Sequence, residues 1–312
     1  MKENKFESIG TEKLSEAELS RQLGRYQRQE RFCIRFGLIC IAVSLILYFV
    51  LPKRLKNAAL VVCSLVFFAW GTPEYLVLMV LDIAFHYFAG RELALQKARG
   101  RSGRFVLVSS VLVNLLLLGF FKYYGFLIDN INAVSGLHLT APKLALPLGI
   151  SFYTFQALGY TIDVYRGEIK AERNLLRYAL FVSFFPQLVA GPIERSSRLL
   201  KQLAEPHDFD FRRARDGLLI MLLGFFEKVV IADRAAIYVN AIFGNWVESS
   251  GAQIALATAV FAVQDLCDFA GYRYIAIGTA KVLGVELMTN FRQPYFAHSV
   301  TNFWARWHIS LS

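Results

Sequence analysis

Long stretches without a charged residue recur along this chain of 312 residues. A helix needs about 20 apolar residues to cross a hydrocarbon core that is ~30 Å thick. The charge-free stretches are 36–52, 57–73, 75–81, 105–121, 144–162, 178–193 and 217–226, and shorter apolar pieces follow at 235–247, 252–264 and 274–285. The pattern predicts an all-α polytopic bundle in a lipid bilayer, with seven to nine crossing segments. Some of these are expected to be broken, and Gly and Pro at 147–149, 186–192 and 271–294 indicate an internal cavity.

The composition and the charge fit a membrane protein. Apolar types make up 55% of the residues and charged types 19%, against about 25% charged in ordinary soluble domains. The net charge of +10 would favour nucleic acid in a soluble protein. Here the basic residues collect in alternate loops, such as 52–57 and 91–104, as cytoplasmic loops of membrane proteins do. No nucleic-acid partner is therefore expected.

Two further features lie outside the apolar pattern. Residues 1–35 form a polar tail, interpreted as a helix because Ser15 and Glu18 have capping-box spacing. The domain boundary predicted from this is residue 36, with a transmembrane domain over 36–312. The four cysteines are scattered without CxxC or zinc-like spacing, so no metal site is expected.

Ionisable residues within the apolar segments are the first candidates for function. Asp82 and His86 are four residues apart and share a helix face, so the carboxylate could orient the imidazole. The alternative, favoured on sequence alone, is a solvated pair near the end of the span. Glu227 and Lys228 interrupt another apolar run, and a structural ion pair with Asp233 or Arg234 is favoured there.

Polar residues are densest between 264 and 312. Gln264, Asp268 and Tyr272 stand between apolar pieces, and the chain closes on Trp304-Ala305-Arg306-Trp307-His308-Ile309-Ser310-Leu311-Ser312. If this end is helical, Trp304 and His308 share a face. A histidine held between aromatic rings, with its second nitrogen available to Ser310 or to the backbone, suits a general base. The alternative is a histidine of an interfacial aromatic belt.

Several ordered motifs resemble the membrane-bound O-acyltransferase family, in its alginate O-acetyltransferase-like branch. They are Ala69-Trp70-Gly71, Phe121-Lys122-Tyr123-Tyr124, the run 146–156 (LPLGISFYTFQ), 160–167 (YTIDVYRG), 184–193 (FFPQLVAGPI) and Phe303-Trp304 with 306–312 (RWHISLS). The resemblance extends from about residue 36 to residue 312.

The resemblance implies a ring of membrane helices around a tunnel in a bacterial cell membrane. It implies an acyl donor, acetyl-CoA or another acyl thioester, and no bound cofactor. The acceptor would be a hydroxyl of an exported polysaccharide, reached directly or through an extracytoplasmic partner protein. By motif, His308 is the catalytic histidine, and the cavity or support candidates are Trp304, Arg306, Trp307, Ser310, Asp268, Tyr272 and Gln264.

Two departures from the family pattern stand out. Arg273 and Tyr274 replace the small polar and acidic residues that commonly follow Gly-Tyr, and Asp265 replaces an apolar residue. In the family, further helices with a second histidine follow the Trp-His motif. The expectation is that residues 1–312 alone are not a competent acyltransferase.

Three alternatives to polysaccharide O-acetylation remain at this stage. Within the family, D-alanyl transfer to teichoic acid is the runner-up, which the Asp268-Phe269-Ala270-Gly271-Tyr272 segment slightly favours. The others are an inactive truncated fragment and a membrane transporter or scaffold.

Overall fold

A computed structural model describes residues 36–137, 139–140, 147, 149–188 and 191–310. These residues form helices and connecting segments, with no β-strand in the part described. The helices are α1 (Phe36–Val50), α2 (Lys53–Gly71), α3 (Leu76–Ala98), α4 (Arg104–Ser135), α5 (Ile150–Arg166), α6 (Leu175–Ser183), α7 (Phe185–Leu188), α8 (Ser196–Ala204), α9 (Phe211–Phe225), α10 (Asp233–Gly244), α11 (Gly251–Leu283) and α12 (Val300–Trp304). Short 3₁₀ turns cover Pro73–Tyr75 and Pro294–Phe296, and a π-helical stretch, Phe226–Ala232, joins α9 to α10.

The all-α membrane bundle expected from the sequence is confirmed. Among the described residues, α2, α4 and α11 are long and apolar enough to span a bilayer. Phe36–Val50 and Leu175–Leu188 are apolar but shorter. The apolar run at 178–193 is not one long helix, because α6 ends at Ser183 ahead of Pro186. The number of crossings therefore stays a prediction.

The prediction of two separate pieces at 252–264 and 274–285 is wrong, since α11 is one helix of 33 residues. It begins with a capping box, in which Ser250 and Gln253 satisfy each other's backbone N–H groups. It ends at Gly284, whose φ of 95° is left-handed. The polar residues at 264–274 thus lie along a continuous helix and not at a break.

Gly271 and Gly278 of α11 face Gly224 and Gly217 of α9, and they allow the two helices to pack closely without a break in α11. A β-carbon on Gly278 would lie 2.5 Å from the carbonyl oxygen of Gly217, and one on Gly224 would lie 2.6 Å from that of Gly271. The spacing of seven residues on both helices puts each pair on one face, so α9 and α11 pack antiparallel with their backbones close.

A second part of the bundle consists of α2, α3, α5 and α6, which contact one another. Its centre is aromatic: the rings of Tyr160 and Tyr178 are 4.6 Å apart between centroids, and Phe181 lies 6.0 Å from Tyr178. All three side chains are fully buried. The Tyr160 hydroxyl accepts a hydrogen bond from the Glu172 backbone N–H at 2.9 Å, which ties α5 to the segment before α6.

The predicted tail, 1–35, and its capping box at Ser15 and Glu18 lie outside the described residues, and the domain boundary at residue 36 stays a prediction. By backbone contacts the chain divides into units of residues 1–43 and 44–312. The sites described below belong to the second unit.

Candidate functional site

His308 lies in a turn beyond the last helix. Helix α12 ends at Trp304, and His308 has a φ of 50°, in the left-handed region that non-glycine residues seldom adopt. The expectation that Trp304 and His308 share a helix face is therefore wrong. Such a strained backbone persists only where the surroundings fix it.

Asn290 fixes this turn. Its backbone carbonyl accepts a hydrogen bond from the Ile309 N–H at 3.0 Å, and its Oδ1 accepts one from the Ser310 N–H at 3.1 Å. Its Nδ2 donates to the Ser310 hydroxyl at 2.8 Å. Asn290 is buried, so these bonds form away from water. The predicted link between Ser310 and His308 is replaced by one between Ser310 and Asn290.

The imidazole of His308 meets Arg273 of α11. Arg273 Nη2 lies 2.5 Å from His308 Nε2, and Arg273 is only 2% exposed. A guanidinium has no acceptor, so Arg273 donates and Nε2 accepts. The neutral ring therefore carries its proton on Nδ1. That atom is buried and meets no hydrogen-bonding group among the described residues, and the same holds for Nε and Nη1 of Arg273.

Electrostatics favour the neutral form of this histidine. Burial and the nearby Arg273 guanidinium both lower the pKa of His308 below its usual value. A lowered pKa leaves the imidazole unprotonated at neutral pH, as a proton acceptor requires. The site combines a neutral histidine with a buried cation and three ring or guanidinium nitrogens whose N–H groups lack partners in the described residues.

Aromatic rings enclose this pair. Arg273 lies 4.6 Å from the ring centroid of Phe291, and Phe291 packs edge-on against Trp307 at 4.9 Å. Trp307 also stacks on Phe303 at 5.5 Å. Arg306 contributes its backbone, whose carbonyl accepts from the Arg292 N–H at 3.0 Å. Trp304 is 56% exposed and lies at the edge of this cluster, where its ring packs edge-on against Phe303 at 5.5 Å.

The other predicted residues of α11 form a separate group. Gln264, Asp268 and Tyr272 are spaced four apart and share a face that differs from the face of Arg273. Asp268 Oδ1 lies 2.5 Å from Lys228 Nζ, and the same ammonium lies 4.9 Å from the Tyr272 ring centroid. The structure thus divides the predicted site into a His308 group and a Lys228 group.

Lys228 also pairs with Asp233 at 2.8 Å, so the structural ion pair expected there is confirmed. It stands in the π-helical stretch Phe226–Ala232, an uncommon conformation that is frequent at functional sites. The sequence pattern does not predict this stretch, because the wider winding of a π-helix leaves no periodic signature in a run of seven residues.

A third polar cluster surrounds His86, which is 0% exposed. Its Nδ1 lies 2.7 Å from Thr161 Oγ1, and its Nε2 lies 2.5 Å from Asn114 Nδ2. Asp82 Oδ1 is 3.7 Å from Nε2. The alternative of a solvated pair at the end of a span is therefore wrong, and the pairing on one helix face is confirmed.

Sequence reasoning missed the roles of Arg273 and Asn290. The sequence pattern marked Arg273 only as a departure from the family pattern, and it did not mark Asn290 as a candidate. A buried arginine in an apolar helix was itself a signal, because such a charge needs a partner. Its partner, 35 residues away, could not be read from spacing. Among the described residues, no three His, Cys, Asp or Glu side chains come together as metal ligands.

Residues 168–312, which include Arg273, Asn290 and His308, match the model of the membrane-bound O-acyltransferase family. Curated relatives extend the match over most of the chain. It is 37% identical over 282 residues to the probable alginate O-acetylase AlgI of Pseudomonas aeruginosa, covering 89% of this chain and 54% of that protein. The chain belongs to the membrane-bound O-acyltransferase family.

Two other members show the range of similarity. The peptidoglycan O-acetyltransferase of Helicobacter pylori is 34% identical over 303 residues, covering 87% of this chain and 57% of that protein. The teichoic acid D-alanyltransferase of Bacillus subtilis is 29% identical over 227 residues, covering 69% and 54%. The chain spans about half the length of these curated relatives. Family membership and the apolar helices identify a membrane protein, and the relatives named here are bacterial.

Proposed function

We propose that this protein is an O-acyltransferase of the bacterial cell membrane, which moves an acetyl group from an acyl thioester to a hydroxyl of an exported polysaccharide. The supporting observation is the buried Arg273–His308 pair within the segment that matches the family model. The identity to alginate and peptidoglycan O-acetylating relatives exceeds that to the D-alanyltransferase, which favours acetyl as the group transferred.

In this proposal His308 acts as the base. The acceptor O–H bond breaks, its proton passes to Nε2, and the oxygen forms a bond to the thioester carbonyl carbon. Negative charge develops on the carbonyl oxygen. The C–S bond then breaks, and the departing thiolate takes the proton from His308.

The contact at 2.5 Å means that Arg273 must leave Nε2 before the base can work. The guanidinium is then free to donate to the carbonyl oxygen as its charge grows, together with any other donors at the site. The aromatic rings beside Arg273 are expected to limit the access of water, which would otherwise hydrolyse the thioester. Arg273 thus has two positions in the cycle, one on the imidazole and one on the oxyanion.

The test uses His308→Ala, with His298→Ala as the matched control, because His298 is exposed. Both variants are made in the complete gene, and ester-linked acetate and D-alanine are measured on the secreted polysaccharide, the peptidoglycan and the teichoic acid. We expect His308→Ala to lower the acetylation rate by about 10²–10⁴-fold, the usual contribution of a positioned base. His298→Ala should leave it unchanged.

Unchanged acetate with His308→Ala, at wild-type amounts of protein in the membrane, would exclude the proposed role of His308. Ester-linked D-alanine in place of acetate would show that the protein transfers D-alanyl and not acetyl groups. Extracytoplasmic partner proteins are sought by cross-linking in the same cells, since the resemblance to the family implies that such a protein can present the acceptor.

A further inference from the structure

Two basic segments of the chain meet at one end of α3, α4 and α5. Residues 91–104 include the end of α3 and the first residue of α4, and residues 166–177 include the end of α5 and the start of α6. The ammonium group of Lys97 lies directly against Gly167, where a β-carbon would clash with it. The fold therefore brings together two groups of charges that are far apart in the sequence.

Tyrosine side chains join the two segments at further points. The hydroxyl of Tyr87 donates to the Arg173 carbonyl at 2.7 Å and accepts from Arg91 Nη1 at 3.3 Å. The ring of Tyr165 lies 3.9 Å from the position that a β-carbon on Gly103 would take. The two segments thus contact each other at several places and form one surface.

The acidic residues of the two segments are already engaged. The segments hold nine basic and three acidic residues. The partners are Gln96 for Glu92 at 2.9 Å, Arg166 for Glu168 at 3.7 Å and Arg177 for Glu172 at 3.2 Å. Each carboxylate therefore has a neighbour that belongs to its own segment, and none is left to neutralise the remaining basic side chains.

Six exposed basic side chains, which we call the basic patch, form no ion pair within the part of the chain that the structure describes. They are Lys97, Arg99, Arg101, Arg104, Lys170 and Arg173. Like charges that are held close together repel one another, so an anion that binds among them is stabilised. Cytoplasmic loops need basic residues to set their orientation, but that requirement does not bring two such loops into contact.

The basic patch lies where a membrane-spanning helix begins. Helix α4 is long and apolar enough to span a bilayer, and its first residue is Arg104. Phe105, Val108 and Leu112 follow on one face of α4, and they are 83%, 53% and 53% exposed. An exposed apolar face of a spanning helix suits contact with hydrocarbon chains. The patch thus stands at the boundary between hydrocarbon and water, which is the level of the lipid headgroups.

We propose that the basic patch binds the phosphate groups of anionic phospholipids, whose acyl chains lie along the exposed face of α4. Guanidinium groups bind phosphate oxygens with charge-assisted hydrogen bonds, and basic residues near a membrane surface attract anionic lipids. A zwitterionic lipid carries its own cation beside the phosphate, so it is attracted less. This binding does not depend on the acyl-transfer reaction.

The experiment counts the lipids bound to the protein, purified in a neutral detergent, by native mass spectrometry. Phosphatidylglycerol is added in one series and phosphatidylcholine of the same chain length in another. The variant Lys97→Gln/Arg101→Gln removes two charges of the patch. Lys201→Gln/Arg212→Gln is the matched control, because it removes two exposed charges that lie outside the patch.

We expect the wild-type protein to bind phosphatidylglycerol more tightly than phosphatidylcholine. Each basic residue near the surface contributes about fivefold, so the patch variant should bind phosphatidylglycerol about 25-fold more weakly, and the control should bind it as the wild type does. Lys97→Arg keeps the charge and should keep the affinity, whereas Lys97→Gln should lose about fivefold. The unfolding temperature of each variant shows whether it is folded.

Equal affinity of the wild-type protein for the two lipids would overturn the proposal. Unchanged phosphatidylglycerol binding by a folded Lys97→Gln/Arg101→Gln protein would overturn it as well.

Two competitors separate the lipid from other sources of negative charge. Glycerol 3-phosphate carries the phosphate without the acyl chains, and alginate oligosaccharides carry carboxylates. We expect neither of them to displace phosphatidylglycerol at equal concentration, because neither has acyl chains to lie along α4. Displacement by glycerol 3-phosphate would assign the patch to a soluble phosphate, and displacement by the oligosaccharides would assign it to an acidic polymer. Either result would refute binding of a lipid.

Discussion

The surroundings of His86 and His308 differ in how many hydrogen-bonding atoms they leave without a partner. The hydroxyl of Thr161 donates to the Ala157 carbonyl at 3.2 Å, so it accepts from His86 Nδ1–H. Asn114 Nδ2 donates both to His86 Nε2 and to the Ser110 carbonyl at 2.8 Å. Both ring nitrogens of His86 are thus hydrogen-bonded, and each partner is itself held by a second hydrogen bond to a backbone carbonyl.

His308 is half-buried, and within the described part of the chain only one of its nitrogens has a partner. That partner is a guanidinium with two further nitrogens, Nε and Nη1, that make no hydrogen bond there. The comparison teaches that burial alone does not distinguish a structural histidine from a reactive one. Spare hydrogen-bonding capacity next to a partner that can move is the better criterion. The predictions below challenge this assignment, from the largest effect to the smallest.

The largest effect is expected from His86→Ala. The change empties a site inside the bundle and leaves Asn114 and Thr161 without their partner. We expect a loss of about 3–5 kcal/mol in the free energy of unfolding, measured by chemical denaturation in detergent micelles. His308→Ala should cost less than about 1 kcal/mol. Equal losses for the two variants would remove the distinction.

The next effect concerns α9 and α11, which carry Arg273. Gly278→Val would push a side chain into the Gly217 carbonyl and Met221. We expect a destabilisation of about 1–3 kcal/mol from this overpacking, measured in the same way, with loss of acetylation because Arg273 is displaced. Gly244→Val is the control, since a β-carbon at Gly244 meets nothing within 4 Å. Similar losses in both would mean that the close approach is not required.

Asp82→Asn tests whether the His86 cluster has a chemical role. The amide keeps the shape of the side chain and removes an ionisable carboxyl group that is only 8% exposed. One oxygen of this carboxylate has no partner in the described residues, so we expect a change within about 1–2 kcal/mol and acetylation within threefold of wild type. A fall in acetylation of a hundredfold, with stability unchanged, would make Asp82 part of the reaction.

The smallest effect is a shift in pH dependence on Arg273→Met. The guanidinium helps to lower the pKa of His308, so its removal raises that pKa towards its usual value. A base works only when it is unprotonated, and a raised pKa protonates it at higher pH. The acid limb of the acetylation rate should therefore move to higher pH, alongside any general loss of rate. A limb that stays in place would mean that His308 is not the titrating group.

Contacts between residues that are close in sequence could be predicted, and contacts between distant residues could not. The pairing of Asp82 with His86 could be predicted because an α-helix repeats every 3.6 residues and the two residues are four apart. The Lys228–Asp233 pair was within reach of a prediction only because the two residues are close in sequence, since a spacing of five does not share a face of an α-helix. The shared face of Trp304 and His308 used the same rule and was wrong. The rule holds only where a helix exists, and Asn290, 18 residues earlier, holds His308 in a turn.

By itself, the sequence determined the helical class, the membrane setting and the family, because apolar stretches and motifs are properties of neighbouring residues. The tertiary structure alone decided that Arg273 meets His308, that Lys97 meets Gly167, and that α11 runs unbroken against α9. These contacts join residues about 30 or more positions apart. The packing of whole helices decides which polar groups become partners. The spacing of residues along the chain does not determine that packing.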